Sequence, residues 1–383
     1  MRMAKSLCVI SIFIALIIFS GCTKKELNYT VTEADGIKTY HNKNIPSDPN
    51  FKISPKELFT IHGFDENEKD STRMIIKIGA IDVDSKGNIF ILDRLRATVK
   101  KFDKNGNFIK SFGRLGSCPG ESSNAFSMII LNDSIIIDDY DAFRILKFDN
   151  DGNFIRNFTI KTSGMPERYK RFGKDRIVGY QGYDEVISSD TYYSSYNFTL
   201  MDSELRKVKE LHQNRIKFEQ STYNFFDIFL SAYALSDKEI FFAIKSDTKY
   251  LIKAYDQNGE YKYSIIRNYT RQTFNETELN EFGVKYKDVW YYNNNKSIYK
   301  SAIVQMEYDK YGNLWVFSSI KRDEKNQHDL LVDIFKDGVF INSIKLDICP
   351  GFDFVNYDHQ IKLINDRLYY TNSIEQYVKV YEY

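Results

Sequence analysis

The chain has 383 residues, 43% of them hydrophobic, which is ample for a large core. Its 53 basic and 52 acidic residues leave a formal net charge of +1, and no long basic run interrupts that balance, so charge gives it no reason to seek nucleic acid. The 28 Tyr and 29 Phe suit the faces of β-sheets.

Arg2 and Lys5 precede an apolar run from Ser6 to Phe19. At 14 residues the run is shorter than the roughly 20 needed to cross a bilayer as a helix, so it reads as a secretory signal rather than a membrane span. Phe19-Ser20-Gly21-Cys22 resembles the bacterial lipobox, with Phe where Leu is usual. That resemblance implies removal of residues 1–21, lipidation of Cys22 and a stable membrane anchor built on several acyl chains. Thr23 stands where an Asp would imply retention in the inner membrane, so the resemblance points to an outer-membrane lipid anchor. Whether the body faces the periplasm or the exterior stays open. Without its signal the chain carries 51 basic and 52 acidic residues. Cys118 and Cys349 then remain as a candidate pair, though sequence does not give their separation. Residues 22–50 are expected to serve as lipidated N-terminus, tether and source of a closing strand.

From residue 51 the chain repeats itself. AIDVDSKGNIFILD (80–93) reads as two strands around a turn at Asp84–Asn88, and VKKFDKNGNFIKSF (99–112) as a second hairpin turning at Asn105-Gly106. SMIILNDSIIIDD (127–139) and RILKFDNDGNFIRNF (144–158) repeat the pair. A more divergent third unit has RFGKDRIVGY (171–180) and NFTLMDSELRKVKEL (197–211). The fourth is ALSDKEIFFAI (234–244) with YLIKAYDQNGEYKYSI (250–265), and the fifth IVQMEYDKYGNLWVF (303–317) with LLVDIFKDGVFINSI (330–344). The sixth is IKLINDRLYYTN (361–372) with QYVKVYEY (376–383). Gly106 to Gly152 is 46 residues, Gly152 to Gly259 is 107, or two units, and Gly259 to Gly338 is 79, one unit plus an insertion at 266–300.

Six four-stranded antiparallel units predict an all-β, six-bladed β-propeller over residues 51–383. One blade cannot bury both faces, whereas a ring of blades can. A β-sandwich explains alternating strands but not a paired mark recurring six times. The sixth unit needs a closing strand from the N-terminal side. KTYHNKN (38–44) is expected on the outer edge of the last blade and KELFTIHGF (56–64) beside the first.

FDKNGNFIKSFG resembles the NHL-type repeat, and GRLGSCPGES (113–122) resembles the G-x-x-G-x-G-P-G-E segment between blades of six-bladed propeller lipoproteins of Bacteroidota. Gly113, Gly116, Pro119, Gly120 and Glu121 match, with Cys118 where Gly is usual. The resemblance implies architecture far more than role.

Asp82, Asp84, Gly87 and Asn88 resemble the start of a calcium loop, but the residues up to position twelve, Asp93, form an apolar strand, so we read a turn there. Asp149, Asp151 and Gly152 are read the same way. His41, His62, His212, His328 and His359 do not recur at comparable positions in successive units, which argues against a histidine-built metal site. No cofactor and no catalytic constellation is evident. Asp93 and Arg94, with Asp138, Asp139 and Asp141, end matching strands near one mouth of the ring, where propellers bind partners. Tyr286, Trp290, Tyr291 and Tyr292 form an aromatic cluster in the insertion, suited to stacking on sugar rings or anchoring a protein, or else to packing the insertion onto the propeller.

The sequence therefore favours an envelope-anchored platform for a protein or glycan partner over an enzyme. The alternatives are a hydrolase or lyase acting on a polysaccharide or peptide in the central channel, marked by converging acidic, basic or histidine side chains there, and a structural subunit of an outer-membrane complex, marked by a broad apolar surface.

Overall fold

The computed structural model describes residues 27–64, 70–160, 164–188, 191–219, 231–278, 299–320, 330–348 and 359–383. It is a six-bladed β-propeller. In chain order come three N-terminal strands, β1 (Tyr29–Ala34), β2 (Ile37–Asn42) and β3 (Lys56–His62). Blade 1 follows as β4 (Ile78–Val83), β5 (Ile89–Asp93), β6 (Thr98–Phe102) and β7 (Phe108–Phe112). The short parallel pair β8 (Arg114–Leu115) and β9 (Glu121–Ser122) links it to blade 2, made of β10 (Met128–Leu131), β11 (Ser134–Asp139), β12 (Arg144–Asp149) and β13 (Phe154–Thr159). Blade 3 has the longest strands: β14 (Pro166–Phe172), β15 (Arg176–Ser188), β16 (Thr191–Asp202) and β17 (Lys207–Glu219). Blade 4 is β18 (Ala232–Leu235), β19 (Ile240–Ala243), β20 (Tyr250–Tyr255) and β21 (Tyr261–Arg267). Blade 5 is β22 (Ile303–Tyr308), β23 (Leu314–Ser318), β24 (Leu330–Lys336) and β25 (Val339–Leu346). Blade 6 is β26 (His359–Ile364), β27 (Arg367–Asn372) and β28 (Tyr377–Glu382), completed by β3.

Each apolar cluster lies between two neighbouring blades. Along β5, Ile89 and Ile91 face blade 6, while Phe90 and Leu92 face blade 2. A strand with a blade on both sides is apolar at every position, which is why IFIL and SIII read as unbroken runs. The first-to-third strands thus bury both faces, and the outermost ones, such as Phe108–Phe112, stay half exposed.

The turns that marked the repeat share one geometry. Asp84, Asp103, Asp149 and Asp309 each accept backbone N–H bonds from the residues two and four positions on, plus a side-chain amide N–H from an Asn four positions on. These are Asx turns, with Gly at the positive-φ position. Between third and fourth strands that Gly has a second task, since the outer strand of the preceding blade packs on it. A Cβ at Gly106 would lie 2.6 Å from Phe59, at Gly152 2.5 Å from Phe112, at Gly259 2.5 Å from Leu211 and at Gly338 2.8 Å from Tyr40. In the divergent blade 3, Leu205 takes the Gly position at φ +61 and buries its own side chain against blade 2.

Neither N-terminal strand takes the place the sequence suggested. β3 closes the ring, pairing antiparallel with β28 from Lys56–Glu382 to His62–Tyr377. β2 instead adds in parallel to β21 of blade 4, with β1 as its hairpin partner. The reason is packing over the turn glycines: Phe59 fits Gly106, and Tyr40 fits Gly338 and stacks edge-on against Tyr263. Asn42 fixes the arrangement, donating from Nδ2 to the Gly338 carbonyl at 3.0 Å and accepting from the Phe340 amide at 2.8 Å.

The glycine contacts predict unequal costs for one substitution. Gly36→Ala (φ +76, nothing within 4 Å of the new Cβ) should cost only the left-handed backbone penalty of about 1–2 kcal/mol. Gly152→Ala (φ +78) should lose about 1–3 kcal/mol more through collision with Phe112. Denaturant midpoints of the two variants check this.

Candidate functional site at the channel mouth

The six first strands surround the axis. Single polar residues in them reach sideways to other blades. Asp82 accepts the Ile130 amide at 2.7 Å, tying blade 1 to blade 2, and Lys362 donates to the Ile81 carbonyl at 2.9 Å, tying blade 6 to blade 1. Gln305 donates to the Ile361 carbonyl, tying blade 5 to blade 6. Lys170 of blade 3 meets Glu307 of blade 5 at 2.7 Å, skipping the blade between them. Arg171 reaches from blade 3 to the Val83 carbonyl of blade 1 at 3.4 Å. Together they bridge the lower half of the channel, near the turns joining first and second strands. Burial there pulls the Lys362 ammonium below its ordinary range, with the nearby Asp82 carboxylate opposing that pull.

The opposite, upper face carries the second-to-third strand turns and the links between blades. Here Asp138, at the upper end of β11, is fully buried. Its Oδ1 accepts the Phe126 and Ser127 amides at 2.6 and 2.7 Å, whereas the counterpart of Asp93, which holds the Ile76 and Lys77 amides in blade 1, is its neighbour Asp139, which holds those of Ser123 and Asn124. Both Asp93 oxygens accept N–H bonds, whereas Asp138 Oδ2 is buried with no hydrogen-bond partner, as is the nearby Tyr169 hydroxyl. Burial raises the Asp138 carboxyl to about 7 against the pull of its two amides, and Glu167 adds repulsion. Glu167, half-buried in β14, is itself raised by burial, partly offset by the Tyr140 hydroxyl that donates to its Oε1 at 3.0 Å and by Arg168. The β14–β15 register shifts between Glu167 and Lys170, with Arg168 at φ +48, and this bulge re-aims the upper end of β14. Arg94 completes the mouth, its guanidinium 3.6 Å from the centre of the Phe126 ring and within electrostatic reach of Asp138.

Of the residues singled out from sequence, Asp93, Arg94, Asp138, Asp139 and Asp141 all lie on this upper face. Asp93, Asp138 and Asp139 are buried, and Asp139 holds Ser123, Asn124 and Arg144. Arg94 and the exposed Asp141 keep access to solvent. Cys22, Tyr286, Trp290, Tyr291, Tyr292 and Cys349 lie outside the described residues. Glu121 closes the inter-blade loop by accepting the Cys118 amide at 3.0 Å and pairing with Arg114. His41, His62 and His212 sit on outer strands. Glu167, Lys170, Glu307 and Lys362 were not singled out from sequence. Their signal was a charge within the first strand of a unit, where the apolar pattern leaves room only for channel-facing polar groups.

Comparison with known proteins agrees on the ring. A family model described as a 6-bladed beta-propeller matches residues 68–224. No curated protein matches the chain. Among solved structures, a Bacteroides fragilis protein described as exported is 13% identical, with a TM-score of 0.49, over 90% of this chain and 98% of its own. A member of the duf4221 family from Bacteroides vulgatus is 12% identical, with a TM-score of 0.48, over 86% and 96%. Virginiamycin B lyase from Staphylococcus aureus is 10% identical, with a TM-score of 0.40, over 80% and 95%.

Two substitutions separate the two levels of the channel. Lys170→Met leaves Glu307 without its cation and should cost about 3–5 kcal/mol, most of it recovered in the double variant Lys170→Met/Glu307→Met, as read by denaturant unfolding. Asp138 keeps its proton to about pH 7 in the fold against an ordinary value of 3.8. Rising pH through that window removes stability, because ionisation costs the fold more than the open chain. Between pH 5 and pH 8 the wild type should therefore lose about 3 kcal/mol more than Asp138→Asn, measured as the pH dependence of unfolding.

Proposed function

We propose that this propeller is an exported hydrolase or lyase acting on a polysaccharide or peptide of the cell envelope, with its site at the upper mouth of the channel. The supporting observation is that burial raises the carboxyls of both Asp138 and Glu167, which lie within electrostatic reach of each other, with the Arg94 guanidinium within reach of Asp138. A carboxyl raised toward neutrality is poised to give and take protons. Glu167 is the accessible one of the two and serves as general acid or base. Tyr140 orients it through the 3.0 Å hydrogen bond. Arg94 takes up negative charge on the substrate, and buried Asp138 holds the field around Glu167. In this reading the apolar run after Arg2 and Lys5 directs export, and lipid on Cys22 retains the protein at a membrane.

A binding platform for a glycan or protein is the second reading, favoured by the flat Arg94–Phe126 stack at the mouth. One experiment separates the two. The purified mature protein is incubated with envelope polysaccharides and peptides while new reducing ends, unsaturated sugars and free amines are followed. The enzyme reading expects turnover that falls about 100-fold or more in Glu167→Gln with the fold intact. Retention of a glycan or peptide without turnover, and equally by Glu167→Gln, would establish the platform instead.

A further inference from the structure

The side chains that bridge the lower half of the channel carry more positive than negative charge. Lys170 and Arg171 of β14 and Lys362 of β26 converge with Asp82 of β4 and Glu307 of β22, three cations against two carboxylates, and the other four all lie within electrostatic reach of Lys362. Glu307 takes Lys170 at 2.7 Å. Asp82 has both oxygens engaged by amides, Oδ1 by Val83 at 2.8 Å and Oδ2 by Ile130 at 2.7 Å. Among the described residues, Lys362 and Arg171 therefore have no ion pair. Each rests instead on one backbone carbonyl of β4, Lys362 on Ile81 at 2.9 Å and Arg171 on Val83 at 3.4 Å. An ammonium has three donors and a guanidinium has five, so most donors of both groups are left for another partner.

Strand geometry sets their spacing. β4 is the innermost strand of blade 1 and pairs on one side only, with β5. The Asp84 amide donates to the Asn88 carbonyl across that pair, so the even-numbered residues of β4 bond to β5 and the carbonyls of Ile81 and Val83 look into the channel. Two residues apart, those carbonyls are separated by about 7 Å. Cations held on carbonyls at that spacing can share one carboxylate, each taking one oxygen through a charge-assisted bond of about 2.8 Å. Charge and shape select among anions. A single unbalanced positive charge matches a singly charged group, which a phosphate dianion exceeds, and two oxygens in a plane match the guanidinium fork better than a halide does. Asp82 is the like-charged neighbour, and its two amide bonds offset part of its field. Entry is from the lower mouth, where the Lys170 side chain is 29% exposed, and the Lys170–Glu307 bridge across the channel keeps the ligand small.

We propose that the lower half of the channel binds a small monocarboxylate, its two oxygens held by the Arg171 guanidinium and the Lys362 ammonium beside β4. This site is separate from the upper mouth and does not rest on the enzyme reading. The bound carboxylate joins blades 3 and 6 to blade 1 and compensates the buried ammonium of Lys362.

The test uses the full mature chain, titrated with carboxyl-labelled acetate near neutral pH and at constant ionic strength, with binding followed by calorimetry and by the carbon resonance of the label. The expected result is saturable binding at one site, weakened about tenfold or more in Arg171→Met and in Lys362→Met. Arg171→Lys keeps the charge but loses the fork, and should weaken binding about threefold or more. Because it preserves the charge balance, it reports even where a methionine variant fails to fold. Absence of saturable acetate binding to the wild type overturns the proposal, as does equal binding by the wild type, Arg171→Lys and Lys362→Met. Chloride or inorganic phosphate bound more tightly than acetate overturns the carboxylate assignment. Binding lost in Arg94→Met but kept in Arg171→Met places the acetate at the upper mouth and overturns the proposal as well.

Discussion

The antiparallel pairing of β3 with β28 is the constraint on which the rest depends. Six sheets with apolar groups on both faces are six exposed surfaces until each has two neighbours. The seam between blades 6 and 1 has Ile61 of β3 on one wall, with Val378 and Val380 of β28, and Ile78, Ile81 and Ile91 on the other. Once that seam shuts, every cluster has both walls. The axis becomes narrow enough for Lys170 to reach Glu307 two blades away. The channel clasp is thus a consequence of closure rather than its cause.

Closure also divides the channel into two electrostatic levels. In the lower half, charges meet partners or backbone carbonyls, the arrangement expected of buried ions that support a fold. In the upper half, Asp138 Oδ2 and the Tyr169 hydroxyl are buried without partners, although Asp139 next to it in the strand is bonded through both oxygens. Position 138 carries a carboxyl where the strand register puts the apolar Leu92 in blade 1. Blade 3, with its bulge at Arg168, adds Glu167 near that carboxyl. The candidate site is thus a local addition to the repeating scaffold.

The repeat was legible because its marks are local. An Asp, a Gly and an Asn at fixed offsets specify an Asx turn with positive φ, and the strands flanking it follow. What sequence missed depends on contacts between distant segments. KTYHNKN and KELFTIHGF are both short amphipathic strands, and only the fit of Tyr40 over Gly338 and Phe59 over Gly106 tells them apart. Similarly, Asp93, Asp138 and Asp139 read alike as mouth residues. The register makes Asp139 the counterpart of Asp93, and Asp138 meets the Glu167 carboxyl only through blade 3, more than 20 residues on, which no spacing within blade 2 reveals. Lys170 and Glu307 are 137 residues apart, so their pairing needed the ring before it had any meaning.

The closing strand has a consequence in time. Lys56 pairs with Glu382, so the first strand of the ring to be synthesised waits for the last. Through the making of every intervening blade, β3 has no partner and the seam it seals stays open. Such a chain is committed to long-range contacts and to slow final assembly. It also carries its own proof of completeness: a product that stops short of residue 377 keeps an open edge and an apolar seam, the features by which unfinished chains aggregate or are degraded.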